Sequence, residues 1–161
     1  MPARRDLDPE DIVPLLPHLI ISERVNDKFS YKLLGTGVRD DLGYDPTGYF
    51  AGEYLDAGFY PEIQATFGIV YAHGAPVFAT GESRLKWLLH AWSSLILPLA
   101  DNDRTVNRTI SSFVQRLHPD QSARHWLEHQ AAKVLQVTAV QNAEELEKLC
   151  LQWDERTKPK P

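Results

Sequence analysis

Residues 33–55, LLGTGVRDDLGYDPTGYFAGEYL, constrain the fold of this chain more than any other stretch. An apolar strand ends in Gly35 and Gly37, a helix-sized piece covers residues 38–42, and Gly43-Tyr44-Asp45-Pro46-Thr47-Gly48 follows. Glycine adopts backbone angles that other residues resist, and Asp-Pro starts turns, so the chain must reverse several times within about twenty residues. One-turn helices strung after a strand wall in a small space more readily than they build a helical bundle.

The elements around this stretch follow from caps, breakers and periodicity. Asp8-Pro9-Glu10-Asp11 opens a helix that runs to about residue 16, with Asp8 as cap and Pro9 in the first helical position. Pro14 cannot donate a backbone hydrogen bond, so that helix is short or kinked. Residues 19–25 and 29–34 form a hairpin about Asn26-Asp27-Lys28. Ile63, Phe67, Val70 and Tyr71 fall at helical spacing, and Gly74 with Pro76 beyond it ends that helix. Residues 77–80, 84–98 and 104–117 read as three antiparallel strands. A further helix is predicted from Asp120 to about Gln136. Another begins at Asn142-Ala143-Glu144-Glu145, which has capping-box form, and carries the stripe Leu146, Leu149, Cys150 and Trp153. The class is α+β, an antiparallel sheet with its helices segregated.

Charge and composition exclude several functions. The net charge is −5 and no Lys/Arg cluster exists, so nothing answers the phosphate backbone of a nucleic acid. The longest strongly apolar run, near residues 95–99, is far too short to span a bilayer, and the charged N-terminus is not a secretion signal. One cysteine, Cys150, rules out an internal disulfide and suits a reducing compartment. A cytoplasmic protein without membrane insertion is expected.

The order of motifs resembles the PAS sensory domain, and in particular a bacterial family of stand-alone PAS proteins. Residues 3–17 match its opening, P-x-R-x-D-x-D-P-x-D-I-x-x-L-L-P. The likeness continues through "LLGT" at residues 33–36, "GYDPTG" at 43–48, Ala75-Pro76-Val77 and Leu97-Pro98-Leu99, covering roughly residues 2–116. It departs at Asp101-Asn102-Asp103, where the family has an Asp-Gly turn. The resemblance implies a five-stranded antiparallel sheet with short helices on one face, an N-terminal cap helix and a C-terminal helical extension. The corresponding divisions are a cap helix in residues 1–18, a PAS-like domain in 19–117, the helical extension in 118–157 and a disordered tail in 158–161. It also implies sensing or protein–protein signalling rather than catalysis. Flavin-binding members use an Asn-Cys-Arg cysteine and haem-binding members a histidine on the longer helix; this chain has only Cys150 and, at that helix's end, His73. No cofactor is therefore expected.

The resemblance implies that Tyr31, Phe50, Tyr54, Phe59, Phe67 and Tyr71 converge on the concave face, where a pocket would also take in Leu33 and either His90 or Trp92. Strand alternation puts His90 and Trp92 inside, or else Leu89, Ala91 and Ser93. Such a cluster is either a filled core or the wall of a pocket for a planar ligand. His125 and His129 stand four apart on the predicted helix but lack further ligands, so no metal is assigned. A cone-shaped enzyme of ketosteroid-isomerase type is the chief rival, with Asp40, Asp41 or His90 as proton carrier; a ligand-free adaptor is the next. Two apolar stripes lie outside the sheet, Ile12, Leu15 and Leu16 on one helix and Leu146, Leu149 and Trp153 on the other. They are the expected interfaces of a homodimer or with a signalling partner.

Overall fold

A computed structural model describes residues 8–53, 55, 57–85, 88–100, 105–121 and 132–158. Pro9–His18 is a 3₁₀ helix, capped by the Asp8 carboxylate, which accepts from the Glu10 amide at 2.9 Å. Pro14 and Pro17 lie inside it, and their missing donors favour the tighter coil over an α-helix. β1 (Leu19–Val25) and β2 (Lys28–Leu34) form the expected hairpin. Asn26 and Asp27 both have positive φ, 50° and 62°, as a two-residue turn matched to strand twist requires.

α1 (Thr36–Leu42), a single 3₁₀ turn (Ala51–Glu53) and α2 (Phe59–His73) follow. α2 ends where predicted, at Gly74 in the left-handed conformation. Between α1 and α2 the turns are held by their own side chains. Asp45 accepts from the Thr47 hydroxyl at 2.6 Å and its amide at 3.0 Å, and pairs with Arg39 at 3.1 Å. Those bonds, the Thr47 hydroxyl first, hold its carboxyl below the ordinary carboxylate range. The Gly48 amide then donates to the Tyr31 carbonyl at 2.7 Å, so the turns run along the free edge of β2.

β3 (Val77–Leu85), β4 (Leu88–Ala100), β5 (Val106–Leu117) and β6 (Ala132–Ala139) complete one antiparallel sheet in the order β2-β1-β5-β4-β3-β6. The sixth strand corrects the helix predicted to run through Gln136: residues 132–136 pair with β3 instead. His125 and His129 lie outside the described residues. α3 (Ala143–Thr157) starts as its capping sequence predicts, with Asn142 accepting from the Glu145 amide at 2.9 Å. The Glu145 carboxylate reaches one residue further back than expected, to the Gln141 amide at 2.8 Å.

The sheet is covered on both faces. Adjacent residues of β3 show this: Val77 packs with Phe29, Phe67, Val70 and Ile96 beneath α2, whereas Phe78 packs with Val140 and Trp153 beneath α3. Leu146 and Leu149 join the α3 side, and Ile12 of the 3₁₀ helix packs on Leu19, Leu99 and Ile110. Arg116 clamps α3 further, its guanidinium 4.5 Å over the Trp153 ring and 2.6 Å from the Asp154 carboxylate. The outer face of an antiparallel sheet that carries Phe78, Leu95 and Val114 needs such a cover. The residues expected at interfaces therefore divide. Ile12, Leu146, Leu149 and Trp153 turn onto their own sheet, while Leu15 and Leu16 remain 52% and 37% exposed.

Two predictions follow from local features. Glu23 on β1 ties β2 to β5, accepting from Lys32 at 2.9 Å and from Arg108 at 2.7 and 3.0 Å. The hydrogen bonds from Lys32, then Arg108, hold its carboxyl below its ordinary 4.5. A lowered folded-state pKa gives stability that is complete above the unfolded value and drains as pH falls through the lowered one. Glu23→Gln should therefore cost about 1 kcal/mol at neutral pH. In urea titrations the variant and the parent should converge in acid. Gly68, exposed in the middle of α2, has nothing within 4 Å of an added Cβ. Gly68→Ala should stabilise the fold by roughly 0.5–1 kcal/mol, read as a raised denaturation midpoint.

Candidate functional site

Between the sheet and the helices α1 and α2 lies a cavity of about 310 Å³. Its floor comes from alternate residues of the central strands: Trp92, Ser94 and Ile96 of β4, and Ser111, Phe113 and Gln115 of β5. The Trp92 and Phe113 rings stack at 6.2 Å with 29° between their planes, and Phe59 meets Trp92 edge-on at 6.1 Å. Trp92 can lie flat because Gly81 sits beneath it; a Cβ there would come within 2.2 Å of the indole and of the Lys133 carbonyl. α1 supplies Val38 and Leu42, and α2 supplies Ile63, Thr66 and Phe67 as the roof.

The polar groups are few and neutral except at one end. Ser94 donates to the Ser112 carbonyl at 2.7 Å, and Thr66 donates to the Glu62 carbonyl at 2.9 Å, so both hydroxyls are committed to backbone. Tyr31 and Tyr44 line the α1 end, and burial pushes both phenols up, so they stay protonated at neutral pH. Arg84, exposed near the end of β3, is the one charged residue among the described residues at the cavity's edge.

The sequence-predicted residues sort unevenly. Tyr31, Phe59, Phe67 and Trp92 line the cavity. Leu33 does not: it is 44% exposed, and the reason is a β-bulge. Opposite Ile21 and Ser22 of β1 stand Leu33 and Tyr31, leaving Lys32 unpaired in the ladder. One extra residue reverses the side-chain alternation, so Leu34 instead of Leu33 follows Tyr31 onto the cavity face. For β4 the structure selects Trp92. His90 shares its face but lies beyond the cavity, its Nδ1 3.3 Å from the Leu88 carbonyl. Phe50 is spent on the edge of β2, where it bridges Ser30. Tyr71 packs against the core farther along α2, its ring 5.5 Å from the Arg24 guanidinium and its phenol pushed up to about 12 by burial. Tyr54 lies outside the described residues. The cavity residues of β5 were not foreseen, although the alternation of Ser111, Phe113 and Gln115 is plain in the sequence.

No group of His, Cys, Asp or Glu among the described residues could hold a metal ion. Cys150 is exposed on α3, across the sheet from the cavity.

No protein-family model and no curated protein matches the chain. Among solved structures, a light-oxygen-voltage domain whose mechanism was studied with a flavin analogue is similar. It shares 13% identity over 74% of this chain and 90% of that one, at a TM-score of 0.50. The fold is PAS-like. The light-state LOV domain of the blue-light photoreceptor Aureochrome1 is also similar, with 10% identity over 66% of this chain and 87% of that one, at a TM-score of 0.47. Within the PAS-like frame the cavity occupies the space between the sheet and its short helices, and α3 and the 3₁₀ helix cover the opposite face. No helix among the described residues is long and apolar enough to cross a membrane.

Proposed function

We infer that this PAS-like domain is a non-catalytic sensor that takes a small, mostly apolar ligand into the cavity. It then signals through a partner or a second copy of the chain. The observation that carries this is the cavity itself, about 310 Å³ walled by aromatic and aliphatic side chains with a few polar groups, the composition of small-molecule sites. The described lining residues include no carboxylate and no imidazole, which weighs against the isomerase-like alternative and its proton carrier Asp40, Asp41 or His90. A solid-cored adaptor has no use for such a void, which costs stability in proportion to its size.

Binding is non-covalent in this reading. The similar light-oxygen-voltage domain was probed with a flavin analogue, and the resemblance to flavin-binding PAS domains calls for a reactive cysteine beside the ligand. Here Cys150 stands on the wrong side of the sheet. The purified protein should accordingly show no visible absorption band, and a band that persists through purification would overturn the expectation.

Signal can pass through the strands. Phe113 and Gln115 line the cavity, and the residues next to them, Val114 and Arg116, hold α3. The exposed pair Leu15 and Leu16 offers a contact surface for a partner or second copy. Leu15→Glu should weaken a dimer without unfolding the sheet. Leu149→Glu, by contrast, should destabilise the fold, because Leu149 packs in its own domain. A monomer mass by light scattering at concentrations of tens of micromolar would end the dimer reading.

The decisive test of ligand binding is a thermal-shift screen of metabolites on the intact protein, alongside Ala79→Leu. Ala79 is buried against the cavity, so leucine fills it from the floor. Ligands that raise the melting temperature of the parent should leave the filled variant unmoved. A screen without hits, together with a more stable Ala79→Leu, would favour the adaptor.

A further inference from the structure

We propose that a second copy of this chain pairs its β6 with this β6, antiparallel about a two-fold axis at Thr138, so that two six-stranded sheets become one. This contact is independent of what the cavity binds.

β6 ends the strand order, so one side of its backbone faces away from β3. The Val140 amide donates to the Pro76 carbonyl at 2.8 Å. By alternation, the amides and carbonyls of Val137 and Ala139, opposite Ala79 and Val77, turn outward. Leu135 is an extra residue where Gln136 and Val134 face Thr80 and Gly81, so the alternation reverses there and the Val134 amide also points out. The outward amides at both ends of this stretch are capped by carboxylates. Val134 donates to Glu62 at 2.5 Å, and Gln141 donates to Glu145 at 2.8 Å. The opposite edge of the sheet is closed as well, because the Tyr31 amide donates to the Tyr49 carbonyl at 3.3 Å and the Tyr31 carbonyl accepts from Gly48 at 2.7 Å. Val137 and Ala139 find no such cover among the described residues. An open strand edge of this kind is a template for another strand.

Spacing and charge select the occupant. Each copy presents two donors and two acceptors from residues two apart. With the axis at Thr138, Val137 faces the copy's Ala139 and Ala139 faces the copy's Val137, and hydrogen bonds across both pairs satisfy every one of these groups. The run from Val134 to Gln141 holds no charged residue and no proline, so a strand that meets its own copy meets no like charge. Lys133, just before that run, falls opposite Ala143 of the copy, where the first turn of α3 carries Glu144 and Glu145. Leu135 and Val137, 54% and 37% exposed, gain a neighbouring strand. One strand from each copy is a small contact for a specific interface, so the expected dissociation constant is on the order of micromolar.

Sedimentation equilibrium of the intact protein, from about one to one hundred micromolar, should show monomer and dimer in exchange. Val137→Pro deletes an outward amide and leaves the bonds to β3 in place, so it should weaken the dimer about tenfold or more. Val137→Lys sets two ammonium groups across the axis and should weaken it as much, which keeps the test open if the proline variant fails to fold. Ala139→Glu should weaken its own dimer too, but mixing it with Val137→Lys should restore a pair, because the register puts those two positions face to face. A dimer that survives both Val137 variants, or a mixture no tighter than either variant alone, overturns the proposal and leaves Leu15 and Leu16 as the contact between copies. A monomer mass throughout the range also overturns it, and leaves the open edge to a strand of a different protein.

Discussion

Replacing Gly35 by alanine should cost about 3 kcal/mol and unseat the N-terminal 3₁₀ helix. Backbone angles are not the reason, since Gly35 is extended with φ −62° and ψ 154°, which alanine adopts freely. The reason is space. A Cβ at this position would lie 2.2 Å from the Leu16 carbonyl oxygen and 2.3 Å from that of Pro17. Both are backbone atoms of the segment that crosses directly over the start of α1, and the Gly35 amide also donates to the Leu19 carbonyl at 2.8 Å. No rotamer change relieves such a contact, so either the helix lifts or the β2–α1 junction shifts. Lifting it would uncover Leu19, Leu99 and Ile110, on which Ile12 packs. Urea denaturation should show the loss, and proteolysis should cut earliest around residues 9–18. A variant within about 0.5 kcal/mol of the parent would mean that the helix does not sit on Gly35 in solution.

Phe67→Ala should be the more damaging change, at about 3–5 kcal/mol. Phe67 is 6% exposed and stacks on Phe29 at 4.5 Å with 17° between the rings, in the cluster with Val70, Val77 and Ile96. It is also part of the cavity roof, so truncation opens the core into the cavity rather than leaving a sealed void. Ligand affinity should fall with stability, since the roof would lose its aromatic surface. Leu33→Ala provides the contrast. Leu33 was expected in the same cluster but is 44% exposed, and its loss should cost under about 0.5 kcal/mol in the same denaturation experiment. Equal effects at the two positions would contradict the bulge that separates them.

That bulge shows where inference from the chain alone stops. Tyr31 and Leu33 are two apart, and in a regular strand they share a face. Lys32 upsets this by dropping out of the ladder, where its ammonium pairs with Glu23 at 2.9 Å. The partner strand decides the matter, and β1 is invisible to any local pattern within β2. Residues 132–136 fail for a related reason. Ala132, Val134 and Val137 with Thr138 are as compatible with a strand as with the end of a helix, and short apolar runs are ambiguous. The free edge of β3 resolves the ambiguity by supplying the hydrogen-bond partners.

What the amino-acid sequence by itself determined was the punctuation and the class. The turn at Asn26-Asp27, the stop of α2 at Gly74, the start of α3 at Asn142 and the α+β order all depend on interactions within a few residues, and local chemistry suffices to specify them. The tertiary structure alone decided which side of each strand meets the cavity and what covers the other side. Trp92 rather than Leu89 faces inward, and the stripe of α3 closes on Phe78, Leu95 and Val114 of its own sheet. Those choices turn on register and on long-range burial. A shift of one residue exchanges the two faces of a strand, so the sequence pattern is satisfied either way until the neighbouring strand is in place.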